Sequence, residues 1–351
     1  MTVPSFGMRP GSFPRALACL LLATLAACGS TPPSPAPVVP DATGATTSAP
    51  PIRIGIALGG GAAKGFAHIG VIKMLEANGF APSVVAGTSA GSVVGALYAS
   101  GMKAFELQEK AVALDEARIR DLQLSSGGLV LGQKLEDYVN EQVRRKPLEQ
   151  LAKPFVAVAT RLEDGERTVF ARGNTGQAVR ASSSVPGVFQ PVTIGKYHYV
   201  DGGIVSPVPV DAARQLGADV VVAVDISNKA RGQTPSHLLG ALNQSIAIMG
   251  QKLGQAELAR ADITIRPQVL DMGPADFTQR ASAIVEGEKA ALAVMPQLRE
   301  RVAKLQAERA QAVRQAQQKA AEAEHKACLE NRSRLQKLAG TVGLDGSCER
   351  P

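Results

Sequence analysis

At 351 residues the chain is long enough for one large α/β domain with extensions, and its 45% apolar content supports a sizeable core. Trp is absent and aromatics make up 4%, which excludes the stacking platforms that hold single-stranded nucleic acid. The formal charge is +7, or +5 (7 − 2) without Arg9 and Arg15 of the leader described next; it is spread without a dense Lys/Arg block, so no nucleic-acid groove is expected, whereas work near anionic lipid is compatible.

Arg9 and Arg15 form a positive start, and residues 16–27 form a short apolar stretch ending in small residues. This is the pattern of a secretory leader, too short for a stable membrane span. Leu25-Ala26-Ala27-Cys28 resembles the lipobox of bacterial lipoproteins. The resemblance implies cleavage before Cys28 and a lipid attached to it; an ordinary signal peptide with a chance Cys is the alternative. Gly29 stands where an inner-membrane retention signal has Asp, so by resemblance a Gram-negative-type envelope with the outer membrane favoured is expected, facing the periplasm or the exterior. Residues 28–51 are rich in Pro, Ser and Thr, carry one charge and have no apolar period, and so read as a disordered tether.

Residues 52–58 are Ile-rich and read as a first strand, followed by the glycine loop 59–65 and a helix over 66–77 with Ile69, Ile72 and Leu75 near a 3.6 period. Strand, glycine loop and helix point backbone N–H groups at an anion. A Walker loop is excluded because Lys64 is followed by Gly65, and no acidic residue completes a dinucleotide fingerprint. An oxyanion hole is the better reading, with the N–H groups of Gly60, Gly61 and Ala62 as donors, joined by Ala90. Lys64 either adds positive charge there or is a solvated residue at the helix start.

The next unit is Gly87-Thr88-Ser89-Ala90-Gly91, entered by the apolar run 84–86 and left by a small-residue helix over 92–99. This G-x-S-x-G in a strand–turn–helix context presents a nucleophilic serine, Ser89, with Gly87 and Gly91 leaving room for the sharp turn. Further on, residues 102–121 read as mostly helical, 125–129 as a loop, and 133–143 as an amphipathic helix. Strands are expected at 154–160, 168–171, 196–200, 219–225 and 262–266, with a helix over 238–253. Strands alternating with helices, several of them continuous apolar runs, predict a three-layer α/β/α sandwich with a mostly parallel central sheet.

Residues 58–70 followed by G-T-S-A-G resemble the bacterial patatin-like phospholipases. Support comes from Arg180-Ala181-Ser182-Ser183-Ser184-Val185-Pro186-Gly187, from Asp201-Gly202-Gly203 and from Pro207-Val208-Pro209-Val210, in the family's order. Lys64 stands where the family often has Arg, and Ala62 where Gly is common. The resemblance covers residues 52–296 and implies a Ser-Asp dyad, carried by Ser89 and Asp201.

The residues themselves leave the base open between His and Asp. His68 follows the glycine loop, His198 lies on a strand, His237 is near a loop and His325 is in the charged tail; of these only His237 sits where a late triad His would. Asp201 ends a strand, where open α/β sheets place their sites, and Gly202 and Gly203 give it a tight turn. Asp225 also ends a strand but lacks the glycines and reads as structural. A carboxylate becomes a useful base when burial raises its pKa.

Residues 297–351 read as a charged helical tail with Val302, Leu305 and Val313 but no strong heptad, packing on the domain or pairing in a coiled coil; the oligomeric state is left open. Cys19 leaves with the leader, and Cys328 and Cys348 could form one disulfide in an oxidising compartment. No cofactor or metal is expected. The leading expectation is an anchored hydrolase of membrane phospholipid or another fatty-acyl ester. A non-catalytic lipid-binding envelope protein and a soluble short-chain ester or thioester hydrolase are the alternatives.

Overall fold

A computed structural model describes residues 49–119, 121–125, 128–227, 238–339 and 348. The leader 1–27, Cys28, most of the tether and His237 lie outside the described residues. In chain order the elements are β1 (Ile54–Leu58), α1 (Phe66–Ala77), β2 (Val84–Thr88), α2 (Ala90–Ala99), α3 (Ala104–Val112), β3 (Leu122–Ser125), β4 (Gly128–Val130) and α4 (Gln133–Gln142). They continue with β5 (Phe155–Arg161), β6 (Arg167–Phe170), α5 (Thr175–Ser182), β7 (Val192–Ile194), β8 (Tyr197–Asp201), α6 (Val210–Gln215), β9 (Val220–Val224), α7 (Leu238–Leu258), β10 (Ile263–Ile265) and α8 (Arg280–Ala339).

Eight strands form one sheet in the order β10-β9-β1-β2-β5-β8-β7, with β6 also paired to β5. The pairs from β10 through β5 are parallel, whereas β6, β8 and β7 join antiparallel. The central strands β1, β2 and β9 are buried at every position because both faces are covered. In β9, Val220, Val222 and Val224 face one core and Val221 and Ala223 the other. The first core packs against α1, α2 and α8, the second against α6 and the end of α7. This is the expected three-layer sandwich.

The β3–β4 pair replaces the loop expected over 125–129, and α3 ends at Val112 well short of residue 121. The larger difference is at the C-terminus. The expected boundary between domain and tail at 296/297 falls inside α8, which runs unbroken through Pro296. Ala283, Ile284, Ala291, Met295, Leu298 and Val302 of this helix are buried in the main core. The reason is a crossing of two glycines. A methyl group on Gly70 of α1 would sit 1.9 Å from the Ile284 carbonyl oxygen, and one on Gly287 would sit 2.0 Å from that of Ala67. With no side chain at either position, the two backbones touch and α8 becomes a core element from its first turns. Further along, Arg309 pairs with Asp219, and the side chains beyond it are mostly exposed. Cys328 and Cys348 are joined by a disulfide there. Among the described residues no helix is long and apolar enough to cross a membrane.

Candidate active site

Ser89 sits at the end of β2, at φ 53° and ψ −125°, a left-handed-side conformation that a residue other than glycine rarely adopts. The chain holds it there from three directions. The Ser89 N–H donates to Ser182 Oγ at 3.0 Å, and Ser182 Oγ in turn donates to the Val158 carbonyl at 2.5 Å. The Ser89 carbonyl accepts from Ser92 Oγ at 2.7 Å and Ser92 N–H at 2.8 Å. Gly87 and Gly91 are needed for close approach: a Cβ on Gly87 would meet Ser92 backbone at 2.5 Å, and one on Gly91 would lie 2.1 Å from the Leu58 carbonyl oxygen.

Asp201 is the last residue of β8. Thr88 pairs with Val158 of β5, and Asp201 pairs with Ala159, the next residue along. Because β6 occupies the other edge of β5 over Ala157–Thr160, β2 and β8 meet end to end on the same edge. That meeting brings Ser89 and Asp201 together. The Asp201 N–H donates to the Ser184 carbonyl at 2.9 Å, and its carbonyl accepts from Thr160 Oγ1 at 2.8 Å. The Ser-rich segment 182–184 thus holds Ser89 through Ser182 and Asp201 through Ser184.

The Asp201 carboxyl is buried, and its pKa is pushed up to about 6. Desolvation is the main cause, opposed by hydrogen bonding from Ser89 and from the Gly203 N–H. Oδ1 accepts the Gly203 N–H at 2.7 Å, while Oδ2 has no hydrogen bond of full geometry. Ser89 therefore neighbours the carboxyl without a full hydrogen bond to Oδ2.

The glycine loop follows β1 and lies beside the serine; a Cβ on Gly60 would be 3.2 Å from Ser89 Cβ. One of the expected donors, Gly60, is spent, and so is the neighbouring Lys64 amide. The Gly60 N–H donates to the Pro207 carbonyl at 3.0 Å, and the Lys64 N–H to the Gly61 carbonyl at 3.2 Å. The amides of Gly61 and Ala62 have no partner among the described residues, and nor does that of Ala90 at the start of α2, so these three remain for an oxyanion. Lys64 is buried, at 1% exposure, which excludes the solvated reading. Ala62 lies at φ 53°, which explains why glycine suits this position.

His68 was not singled out by the sequence as a site residue, yet it is fully buried and its Nε2 donates to the Gly59 carbonyl at 2.8 Å. Burial pushes its pKa down to about 4, so the ring is neutral and the Nε2 proton is fixed by that bond. It anchors the loop through that bond. His198 bonds Glu163 at the surface, and His325 lies on α8. Asp225, read from the sequence as structural, accepts from Ser227 and faces Arg266. A cavity of 230 Å³ lined by Leu148, Pro154, Phe155 and Leu216 lies at the start of β5, away from Ser89. Among the described residues no group of three or more His, Cys, Asp or Glu is placed to hold a metal.

Residues 56–214 match the patatin-like phospholipase family, a span containing the elbow, the glycine loop and Asp201. The chain carries a patatin-like phospholipase domain. Its relatives include an uncharacterized NTE family protein of Mycobacterium tuberculosis, 37% identical over 51% of each chain. Another is human patatin-like phospholipase domain-containing protein 6, 32% identical over 50% of this chain and 13% of that one. Lysophospholipase NTE1 of Pyricularia oryzae is 27% identical over 70% of this chain and 19% of its own length. This chain therefore spans about half the length of the mycobacterial relatives and a small part of the others. The solved structure of VipD from Legionella pneumophila superposes with a TM-score of 0.49 at 16% identity, over 70% of this chain and 67% of that one.

Proposed function

We propose that this patatin-like domain hydrolyses lipid acyl esters through a Ser89–Asp201 dyad. The observation that carries the reading is the positive-φ serine facing a buried carboxylate whose pKa lies near 6. Such a carboxylate is mostly ionised at neutral pH yet far more basic than a solvated Asp. Asp201 Oδ2 takes the Ser89 proton as Oγ bonds to the ester carbonyl carbon. The carbonyl π electrons move to oxygen, and the Gly61, Ala62 and Ala90 N–H groups stabilise the resulting oxyanion. The tetrahedral species collapses, the C–O bond to the alcohol breaks, and the alcohol takes the proton from Asp201. Water then attacks the acyl-enzyme while giving its proton to Asp201, and Ser89 leaves with that proton and frees the fatty acid.

The names of the fungal lysophospholipase and of the mammalian phospholipase-domain proteins favour a phospholipid or lysophospholipid substrate. Attachment to the envelope through a lipid on Cys28 would place the domain at such a surface. A fluorophosphonate probe tests the chemistry. Labelling confined to Ser89, and fatty acid released from phospholipid by wild type but not by Ser89→Ala, are expected. Labelling with turnover of short soluble esters alone would favour the soluble-ester reading, and no labelling would favour a lipid-binding scaffold. Release of the domain from membranes by Cys28→Ser tests the anchor.

A further inference from the structure

Helix α7 lies against the segment that follows Asp201. A Cβ on Gly250 would be 3.8 Å from the Gly203 carbonyl oxygen, and one on Gly254 would be 3.8 Å from Pro207. Glu257 completes the same face, since 250, 254 and 257 are one and two turns apart. Its side chain is a buried carboxylate, 4% exposed, and both oxygens are engaged. Oε1 accepts from Ser206 Oγ in a short bond, and Oε2 accepts from the Val208 N–H at 2.8 Å.

The turn held in this way reaches every working part of the site. The Ser206 carbonyl accepts from Thr88 Oγ1 at 2.8 Å, one residue before the nucleophile. The Pro207 carbonyl accepts the Gly60 N–H at 3.0 Å, which sets the glycine loop and leaves Gly61 and Ala62 as free donors. The Ser206 N–H returns to the Gly202 carbonyl at 2.8 Å, closing the turn that carries Asp201. Three strands' worth of catalytic parts are thus tied to one short segment, and that segment is fastened by one carboxylate.

We propose that Glu257 is a positioning residue that clamps the Ser206–Val208 turn and so registers the nucleophile, the oxyanion loop and the base against one another; the catalytic part of this inference rests on the hydrolase reading above. A carboxylate suits the place because it only accepts, and it meets a hydroxyl and an amide that both donate. Burial pushes its pKa up to about 7. The charged groups facing it are Arg167 of β6, Asp211 of α6 and Arg260, the last two paired with each other. A buried ion held without a direct cation partner is costly, and such groups cluster at functional sites.

The test compares wild type with Glu257→Ala, Glu257→Gln and Ser206→Ala. It reads the rate of fluorophosphonate labelling at Ser89 and hydrogen exchange in residues 59–65 and 201–209. Glu257→Ala should slow labelling about ten- to a hundredfold and speed exchange in both segments, the distant glycine loop included. Glu257→Gln can still accept from Val208 and donate to Ser206 Oγ, so it should restore labelling to within about threefold. It should also remove the ionisation near pH 7 from the labelling profile and keep the one near pH 6. If Glu257→Ala does not fold, Ser206→Ala removes one bond only and should slow labelling about three- to tenfold. Labelling and glycine-loop exchange at wild-type values in the folded Ala variants would overturn the clamp. If wild type never labels while glycine-loop exchange still responds to Glu257, the hydrolase reading fails and the clamp stands.

Discussion

Ser89 and Asp201 meet because β2 stops at Val158 and β8 stops at Ala159, consecutive residues on one edge of β5. The proposed dyad is therefore a property of strand register. Removing either member should abolish the chemistry without loosening the sheet. Ser89→Ala and Asp201→Asn are each expected to lower kcat about a thousandfold or more, and the double variant should be little worse than either, since residues acting as a unit are not additive. Steady-state hydrolysis of one ester by all three variants checks this.

The buried Asp201 also predicts the acid limb of the pH profile. The proposed base must be ionised, so kcat/KM should rise with pH through about 6, with the Glu257 ionisation near 7 as a separate step before the plateau. The same shift carries a cost in stability. The folded pKa lies above the ordinary carboxylate value of 3.8, so between pH 3.8 and about 6 the folded state binds more protons than the unfolded state. Stability from this group is full below 3.8 and is lost as pH rises through about 6. Asp201→Asn should thus be more stable than wild type at pH 8, by on the order of 2–3 kcal/mol, and similar to it at pH 4. Denaturant titrations at the two pH values measure the difference.

Ala62 sits at φ 53° in the glycine loop. A left-handed residue with a Cβ costs about 1–2 kcal/mol, whereas glycine's extra freedom in the unfolded chain costs about 0.4–1 kcal/mol. Ala62→Gly is expected to stabilise the protein by up to about 1 kcal/mol with activity kept, because the backbone donor is unchanged. Ala62→Val should destabilise and slow the reaction, as a β-branched residue resists this backbone. Thermal unfolding and ester turnover report both.

Helix α8 is expected to behave as part of the domain through its crossing with α1. Gly70→Ala or Gly287→Ala places a methyl group against backbone that must move, and should destabilise the fold by about 2 kcal/mol or more. Exposed α8 positions beyond Arg309, such as Glu322→Ala, should change stability by less than about 0.5 kcal/mol. Melting temperatures separate the two classes.

Much of the site was legible in local pattern. The elbow at Ser89, the glycine loop and the strand-ending Asp201 are each a short stretch whose backbone demands leave glycines at fixed offsets. Partners contributed from elsewhere in the chain were not legible. Ser182, His68 and Glu257 act on atoms 93, 9 and 51 or fewer positions away; Ser182 and His68 lie in stretches that carry the family resemblance, but no local pattern tells which atoms they hold, and nothing around Glu257 marks it. In the glycine loop Gly60, Gly61 and Ala62 read as equal donors, because which amide is already spent depends on the distant Pro207.

Apolar runs and periodicity alone determined the alternation of strands and helices, hence the layered sheet, and the serine's sharp turn followed from its flanking glycines. Only the tertiary structure decided which atoms work together. Strand register along β5 joins Ser89 to Asp201. Burial, which no local pattern reports, raises the Asp201 pKa and keeps His68 neutral. The approach of two glycine backbones turns the first part of a charged tail into core. Register, desolvation and close packing all depend on residues distant in sequence.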